Sequence, residues 1–265
     1  MKFGETSDWV QFLGSFDGKQ DCIMGHEFVT RIEELGDGVK SPTSIDGEPL
    51  AVGDRVVSLC RVADPEAEGG IGGMGYDNKF PGGFAEWMLQ SPEYCVKVPP
   101  HVSDAEAALT EPMAVGYHAV IKGGITAADV PIVIGCGPVG LAVIVALKAA
   151  GFGPIVAADF AEGRRELATA NGADVVVDPS EGEPHSAALE AWALAAARKV
   201  GAAAAPKVFE CVGVNDMIGG LMEAVPANTH IIVVGVCMLV DKFRPTTAVV
   251  KEREHAHSRL QSSLR

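Results

Sequence analysis

The hexapeptide Gly135-Cys136-Gly137-Pro138-Val139-Gly140 restricts the fold of this chain more than any other stretch. It follows the apolar run Ile132-Val133-Ile134 and precedes Leu141 to Ala150, a segment with the composition of a buried helix. In a strand–turn–helix unit each glycine has its own task. Gly135 permits the tight turn, Gly137 lets the main chain approach a pyrophosphate, and Gly140 lets the helix pack closely on the strand. Pro138 and Val139 belong to the turn ahead of the helix, whose N-terminal N–H groups and dipole favour an anion. Asp159 ends the next apolar run, about twenty residues on, where a carboxylate accepts hydrogen bonds from the hydroxyls of an adenosine ribose. A carboxylate there repels a 2′-phosphate, so NAD is expected over NADP, although Arg164 and Arg165 follow closely.

The alternation continues downstream. Strands are expected at 132–134, 155–158, 175–177, 207–210 and 230–234, with helices over 141–150, 163–170, 186–200 and 215–224. Strands alternating with helices argue for a parallel sheet covered on both faces. In such sheets ligands lie at the C-terminal ends of the strands, which places Val212-Gly213 and Gly235-Val236 on the nicotinamide side. The first 110 residues differ in texture. Val52 to Val57 reads as a turn into a strand, Gly82 to Met88 as a loop entering another, and 63–81 as an exposed loop. The expected organisation is α/β: a β-rich domain over 1–115, a Rossmann-type dinucleotide-binding domain over 116–250, and a polar tail, frayed or disordered, over 251–265.

Composition narrows the partners. The 265 residues carry 35 acidic against 21 basic side chains, a formal net charge of −14. Such a chain lacks the cationic footprint that nucleic acid or an anionic membrane surface requires. Val130 to Leu147 contains no charged side chain, but its glycines and prolines fit a strand, a turn and a buried helix better than a membrane span. Cys22, Cys60, Cys95, Cys136, Cys211 and Cys237 form no CxxC pair, so a four-cysteine zinc knuckle is not expected. Reduced, buried thiols and the absence of a signal-peptide pattern lead to a cytoplasmic expectation.

Gly25-His26-Glu27-Phe28-Val29, then Gly36, Gly38 and Val39, Gly53-Asp54-Arg55-Val56, Gly82-Gly83-Phe84-Ala85-Glu86 and the glycine turn occur in an order that resembles the zinc-type medium-chain alcohol and polyol dehydrogenases. The resemblance runs from about Glu5 to Val240. It implies a GroES-like catalytic domain, incomplete at its N-terminus, ahead of the Rossmann domain. By position His26 resembles the family's metal-binding histidine and Glu27 the glutamate beside it. Glu111, in Thr110-Glu111-Pro112, resembles the ligand that polyol-type members supply, and Ser7 the hydroxyl that carries the alcohol proton outward. These residues suit a Lewis acid that polarises an alcohol oxygen so that hydride leaves for the nicotinamide.

Departures accompany the match. Glu5 stands where the family has a cysteine ligand, so His26, Glu27, Glu111 and Glu5 form a harder donor set, which weakens selectivity for zinc and admits Mn²⁺ or Mg²⁺. Val10 stands where many members have a relay histidine, Thr30 replaces a common glycine, and Cys60 alone represents the usual four-cysteine lobe. The resemblance also implies more β structure before Lys2 and, after Val240, a sixth strand that forms a dimer edge. Without that strand the ordinary dimer is not expected, while association through an exposed edge stays open. The resulting expectation is an NAD-dependent, metal-assisted oxidation of a small secondary alcohol or polyol. A nucleotide-binding protein or shortened dehydrogenase without metal or catalysis is the alternative.

Overall fold

The computed structural model describes residues 23–66, 68–76, 78–180, 185–203 and 205–252. The chain divides into two compact units, one ending at Glu111 and the other beginning at Pro112.

The first unit is built on antiparallel pairing. Strands β1 (Thr30–Arg31), β2 (Arg55–Ser58) and β5 (Cys95–Lys97) form one sheet, and β3 (Arg61–Ala63) with β4 (Ile71–Gly73) a separate hairpin. Side chains alternate across a strand, so the two buried valines of β2 serve opposite faces. Val56 packs with Leu50, Cys95 and Ile32, whereas Val57 packs with Val98, Ala107 and Val102. The turn into β2 is as expected, with Gly53 at φ +93° and its N–H donating to the Ile32 carbonyl. Helix α1 (Asp104–Ala108) starts with a capping box in which Ser103 and Glu106 bond each other's main-chain N–H groups.

Two local expectations are corrected here. Residues 63–81 are not a wholly exposed loop, because the hairpin carries a small core of Val62, Met74 and Phe80 with Phe28 and Met88 packed against it. The three apolar side chains are irregularly spaced in sequence, and only pairing of β3 with β4 brings them together. Phe84 to Met88 do not form a strand. The N–H groups of Gly82, Gly83 and Phe84 donate instead to the carbonyls of Ile23, Gly25 and Met24, an irregular close approach that breaks ladder geometry. A Cβ on Gly82 would stand 2.2 Å from the Gly25 oxygen, so glycine is needed there.

Helix α2 (Thr110–Gly123) opens in the first unit and continues into the second. The second unit is a five-stranded parallel sheet of β6 (Pro131–Ile134), β7 (Val156–Ala158), β8 (Val175–Val177), β9 (Lys207–Glu210) and β10 (His230–Val233), in the order β10-β9-β6-β7-β8. Helices α3 (Pro138–Ala149), α4 (Glu162–Ala170), α5 (Ser186–Arg198) and α6 (Met217–Ala224) join them, and α7 (Pro245–Glu252) follows. Every strand and helix expected downstream of residue 130 is present, with no end shifted by more than three residues. Val133, Ala157 and Phe209 face α2, α3 and α4 on one side, while Ile132, Ile134, Val156 and Val208 face α5 and α6 on the other. Both faces of β6 are buried, which explains its unbroken apolar run. Val130 to Leu147 thus resolves into β6, the turn and most of α3, and among the described residues no helix is long and apolar enough to cross a membrane. Order reverses between β6 and β9, where doubly wound sheets open a crevice.

Candidate functional site

His26 and Glu27 lie on the irregular segment ahead of β1, and Glu111 in the first turn of α2. Gly25 adopts φ +103°, and its carbonyl is enclosed by Gly75, Gly82 and Gly83, so the main chain around His26 is clamped from two sides. One ligand atom from each of His26, Glu27 and Glu111 lies within 4.8 Å of the other two. His26 and Glu111 are half-buried and Glu27 is exposed. Among the described residues neither carboxylate takes part in a hydrogen bond or ion pair. Burial raises the Glu111 carboxyl above the usual range; His26 opposes that rise and Glu27 adds to it. Two uncompensated carboxylates and an imidazole at this spacing are a donor set that a divalent cation fits and neutralises.

Two more groups adjoin the cluster. The Tyr76 hydroxyl stands 3.0 Å from His26 Nδ1 and 3.4 Å from Nε2, with ring centroids 5.2 Å apart. Burial, with Cys60 and the two glutamates, pushes this phenol up to about 12. The Cys60 thiol donates to the His26 carbonyl at 3.3 Å and is pushed up to about 11 by burial, Glu111 and Glu27. Neither residue was reached from the sequence. Tyr76 belongs to no motif, and Cys60 reads as a small buried hydrophobe until β3 brings it beside His26. Glu5 and Ser7, together with Val10 and Cys22, lie outside the described residues.

In the second unit the glycine turn connects β6 to α3. Gly135 has φ +89°, and a Cβ there would meet Val212 at 2.7 Å; one on Gly140 would stand 1.8 Å from the Gly135 oxygen. A Cβ on Gly137 would meet nothing within 4 Å. Packing therefore demands glycine at 135 and 140 but not at 137. Pro138 is the first residue of α3, with Val139 next to it. Asp159 is 8% exposed and accepts from the N–H groups of Cys136 and Ala161, both at 2.8 Å. The Arg164 guanidinium lies 3.8 Å from its carboxylate. Arg165 turns away, donating to the Asp159 and Phe160 carbonyls and pairing with Asp178 at 2.9 Å.

The ends of β9 and β10 meet nearby. A Cβ on Gly235 would fall 2.3 Å from the Gly213 nitrogen, and one on Gly213 would fall 2.7 Å from the Val236 nitrogen. Val212 and Val236 are exposed beside them. Glu210, 1% exposed and absent from the sequence reading, holds this turn by accepting from the N–H groups of Val212 at 2.7 Å and Gly213 at 2.8 Å. The structure thus brings Gly135, Gly140, Val212, Gly213, Gly235 and Val236 to one end of the sheet.

Residues 5–100 match the alcohol dehydrogenase GroES-like domain, and residues 138–264 match the zinc-binding dehydrogenase domain. The chain is 32% identical over 241 residues to (R,R)-butanediol dehydrogenase of Bacillus subtilis, covering 87% of this chain and 63% of that protein. It is 29% identical over 235 residues to sorbitol dehydrogenase of Homo sapiens, covering 84% of this chain and 61% of that protein. The chain therefore spans somewhat under two thirds of the length of these relatives. The crystal structure of 2R,3R-butanediol dehydrogenase from Bacillus subtilis matches with a TM-score of 0.67 at 31% identity, covering 86% of this chain and 62% of that one. The matched family is described as a zinc-binding dehydrogenase. This chain belongs to the zinc-binding medium-chain dehydrogenase family, with a β-rich GroES-like region ahead of a Rossmann-like parallel sheet.

Proposed function

We propose that the protein is an NAD-dependent dehydrogenase that oxidises a small secondary alcohol of the diol or polyol class with the help of a divalent cation. The carrying observation is the His26, Glu27 and Glu111 cluster, whose two carboxylates have no other partner among the described residues. The reaction moves a hydride from the carbinol carbon to NAD⁺ and releases the hydroxyl proton, leaving a ketone, NADH and H⁺. His26, Glu27 and Glu111 would hold the cation, with Glu5 as a further donor. When bound, the cation supplies Lewis acidity that lowers the pKa of an alcohol. Ser7 takes the hydroxyl proton outward, and Glu27, the exposed member of the cluster, assists from beside the cation.

On the nucleotide side, Gly135, Gly137, Gly140 and the N-terminus of α3 with Pro138 and Val139 receive the pyrophosphate. Glycine at 137 has no reason in protein packing, which speaks for a ligand approaching there. Asp159 takes the ribose hydroxyls and Arg164 borders the adenosine end. Arg165 is committed to Asp178 and two carbonyls, so it offers no free guanidinium to a 2′-phosphate, which favours NAD over NADP. Val212, Gly235 and Val236 line the nicotinamide end. The diol and polyol class comes from the names of the relatives.

The test is NADH formation from NAD⁺ with a panel of vicinal diols, sugar alcohols and simple secondary alcohols, with and without Zn²⁺ or Mn²⁺. Cation-dependent turnover that is lost in Glu111→Gln is the expected result. Saturable NADH binding without turnover on any member of the panel, at any cation loading, would instead leave a nucleotide-binding protein without catalysis.

A further inference from the structure

NAD⁺ and NADH differ by one charge in the nicotinamide. The oxidised ring is cationic and the reduced ring neutral, so a fixed charge nearby discriminates between the two forms even where every other contact is the same. Such a charge acts through space, and its effect depends on proximity to the ring rather than on a particular angle to it. It is strongest where water is excluded and no opposite charge cancels it.

Glu210 meets both conditions. It ends β9, where its main chain is in register with Ile134 of β6 on one side and Val233 of β10 on the other, so it stands at the C-terminal edge of the sheet. The residue is 1% exposed. Oε1 accepts from the N–H groups of Val212 at 2.7 Å and Gly213 at 2.8 Å. Among the described residues Oε2 accepts no hydrogen bond, and no Lys or Arg pairs with the carboxylate. A Cβ on Gly235 would stand 3.0 Å from Oε2, so the main chain of that glycine lies against the second oxygen. Gly213, at φ +71°, packs in turn on Gly235 and Val236. The turns after β9 and β10 therefore meet around a carboxylate whose charge is solvated by two N–H groups but cancelled by no cation.

The two halves of the sheet decide which end of a dinucleotide this charge meets. With the pyrophosphate on the glycine turn after β6 and the adenosine ribose on Asp159 at the end of β7, the rest of the molecule crosses the order reversal toward β9 and β10. The ring thereby comes to the turns that Glu210 holds. We propose that Glu210 is a specificity-determining residue for the oxidation state of the cofactor: its buried negative charge, paired with no cation, raises the affinity for NAD⁺ relative to NADH. Capture of the oxidised form and release of the reduced one both gain from it. The inference rests on the nucleotide reading of the second unit and is independent of the cation site.

The test measures the dissociation constants of NAD⁺, NADH and ADP-ribose by calorimetry on wild type, Glu210→Gln and Glu210→Asp. Glu210→Gln removes the charge and keeps an oxygen for the two N–H groups, whereas Glu210→Asp keeps the charge and shortens its reach. ADP-ribose lacks the nicotinamide and reports on the rest of the nucleotide site. In Glu210→Gln, binding of NAD⁺ should weaken about tenfold more than binding of NADH, the effect of one unit charge at about 12 Å where the effective dielectric constant is about 20. In Glu210→Asp both affinities should fall together, leaving the ratio of NAD⁺ to NADH affinity as in wild type. An unchanged ratio in Glu210→Gln overturns the proposal, because lost turn geometry weakens both forms alike. So does a ratio that drops in Glu210→Asp, where the charge is retained, and that readout does not depend on Glu210→Gln folding. Failure of all three ligands to bind wild type removes the nucleotide reading and the proposal with it. Binding of ADP-ribose with an unchanged ratio in Glu210→Gln removes the proposal alone.

Discussion

The main-chain N–H of Cys136 donates to the Asp159 carboxylate at 2.8 Å, so the glycine turn after β6 is bonded to the end of β7 through the same side chain proposed to take the ribose. The Ala161 N–H occupies the other carboxylate oxygen, also at 2.8 Å. Asp159 therefore shapes the turn as well as being the residue proposed to receive the nucleotide. Replacing it with alanine removes the charged acceptor from two N–H groups, a loss of about 3 kcal/mol in unfolding free energy at 1.5–3 kcal/mol per charged hydrogen bond, partly offset by water. NADH affinity should fall at least about tenfold, or 1.4 kcal/mol. Urea denaturation and nicotinamide fluorescence measure the two effects. A variant as stable as wild type with unchanged affinity would remove Asp159 from both roles.

Substitutions at Gly137 and Gly140 should separate ligand binding from folding. A Cβ at 140 would overlap the Gly135 oxygen at 1.8 Å, a backbone atom that cannot rotate away. Gly140→Ala should cost about 3 kcal/mol or more, as overpacking against fixed atoms does. At 137 a Cβ meets nothing within 4 Å and the backbone is extended, at φ −71°. Gly137→Ala should keep wild-type stability within about 0.5 kcal/mol, the range of substitutions that touch nothing. Its NADH affinity should nevertheless drop severalfold. Equal stability losses at the two positions would contradict this division.

Much of the second unit was legible because local and global patterns agree there. The apolar runs of β6 and β7 are continuous, their helices follow closely, and Gly135 and Gly140 have no alternative residue. The first unit was harder to read for physical reasons. Its strands are two to four residues long, Val62, Met74 and Phe80 meet only through hairpin pairing, and Gly82 to Phe84 pair irregularly with Ile23 to Gly25. The same holds at the candidate site. His26, Glu27 and Glu111 came from motif resemblance, whereas Tyr76 and Cys60 reach the histidine through tertiary contacts that no spacing encodes. Two signals were present and unused: Ser103 with Glu106 spells a capping box, and Pro245 is a helix-starting proline that opens α7.

Acid should weaken the second unit through two histidines. Burial lowers the pKa of His185 below its usual 6.5, and burial lowers that of His230 too, helped by Lys207 and opposed by a main-chain bond to Gly123 and by Asp129. A depressed folded pKa means that the unfolded chain binds the proton more readily. The stability concerned is fully present above pH about 6.5 and is lost as pH falls through the lower folded values. The urea midpoint should therefore be lower at pH 5 than at pH 7.5. In the double variant His185→Gln, His230→Gln the difference between those two pH values should shrink. An undiminished difference would assign the acid sensitivity to carboxylates instead.

Glu210 offers the sharpest contrast between a buried and an exposed charge. Its side chain is 1% exposed, one oxygen accepts from both Val212 and Gly213, and its main-chain oxygen accepts from Val234 and Gly235. Glu210 thus holds the turn after β9 with its carboxylate and the end of β10 with its main-chain carbonyl, where the nicotinamide is proposed to lie. Glu210→Ala strips two main-chain N–H groups of their acceptor at about 1–3 kcal/mol each and should lower stability by about 3 kcal/mol. Glu210→Gln keeps one carbonyl oxygen at the same place and should recover more than half of that loss. Asp104, by contrast, pairs with Arg55 at 2.6 Å from a largely exposed side chain. Asp104→Ala should cost no more than about 1 kcal/mol, since solvent screens such pairs. The three variants can be compared in one set of urea titrations. A Glu210→Ala protein no weaker than Asp104→Ala would mean that water replaces the carboxylate, and that the turn carrying Val212 and Gly213 keeps its shape without it.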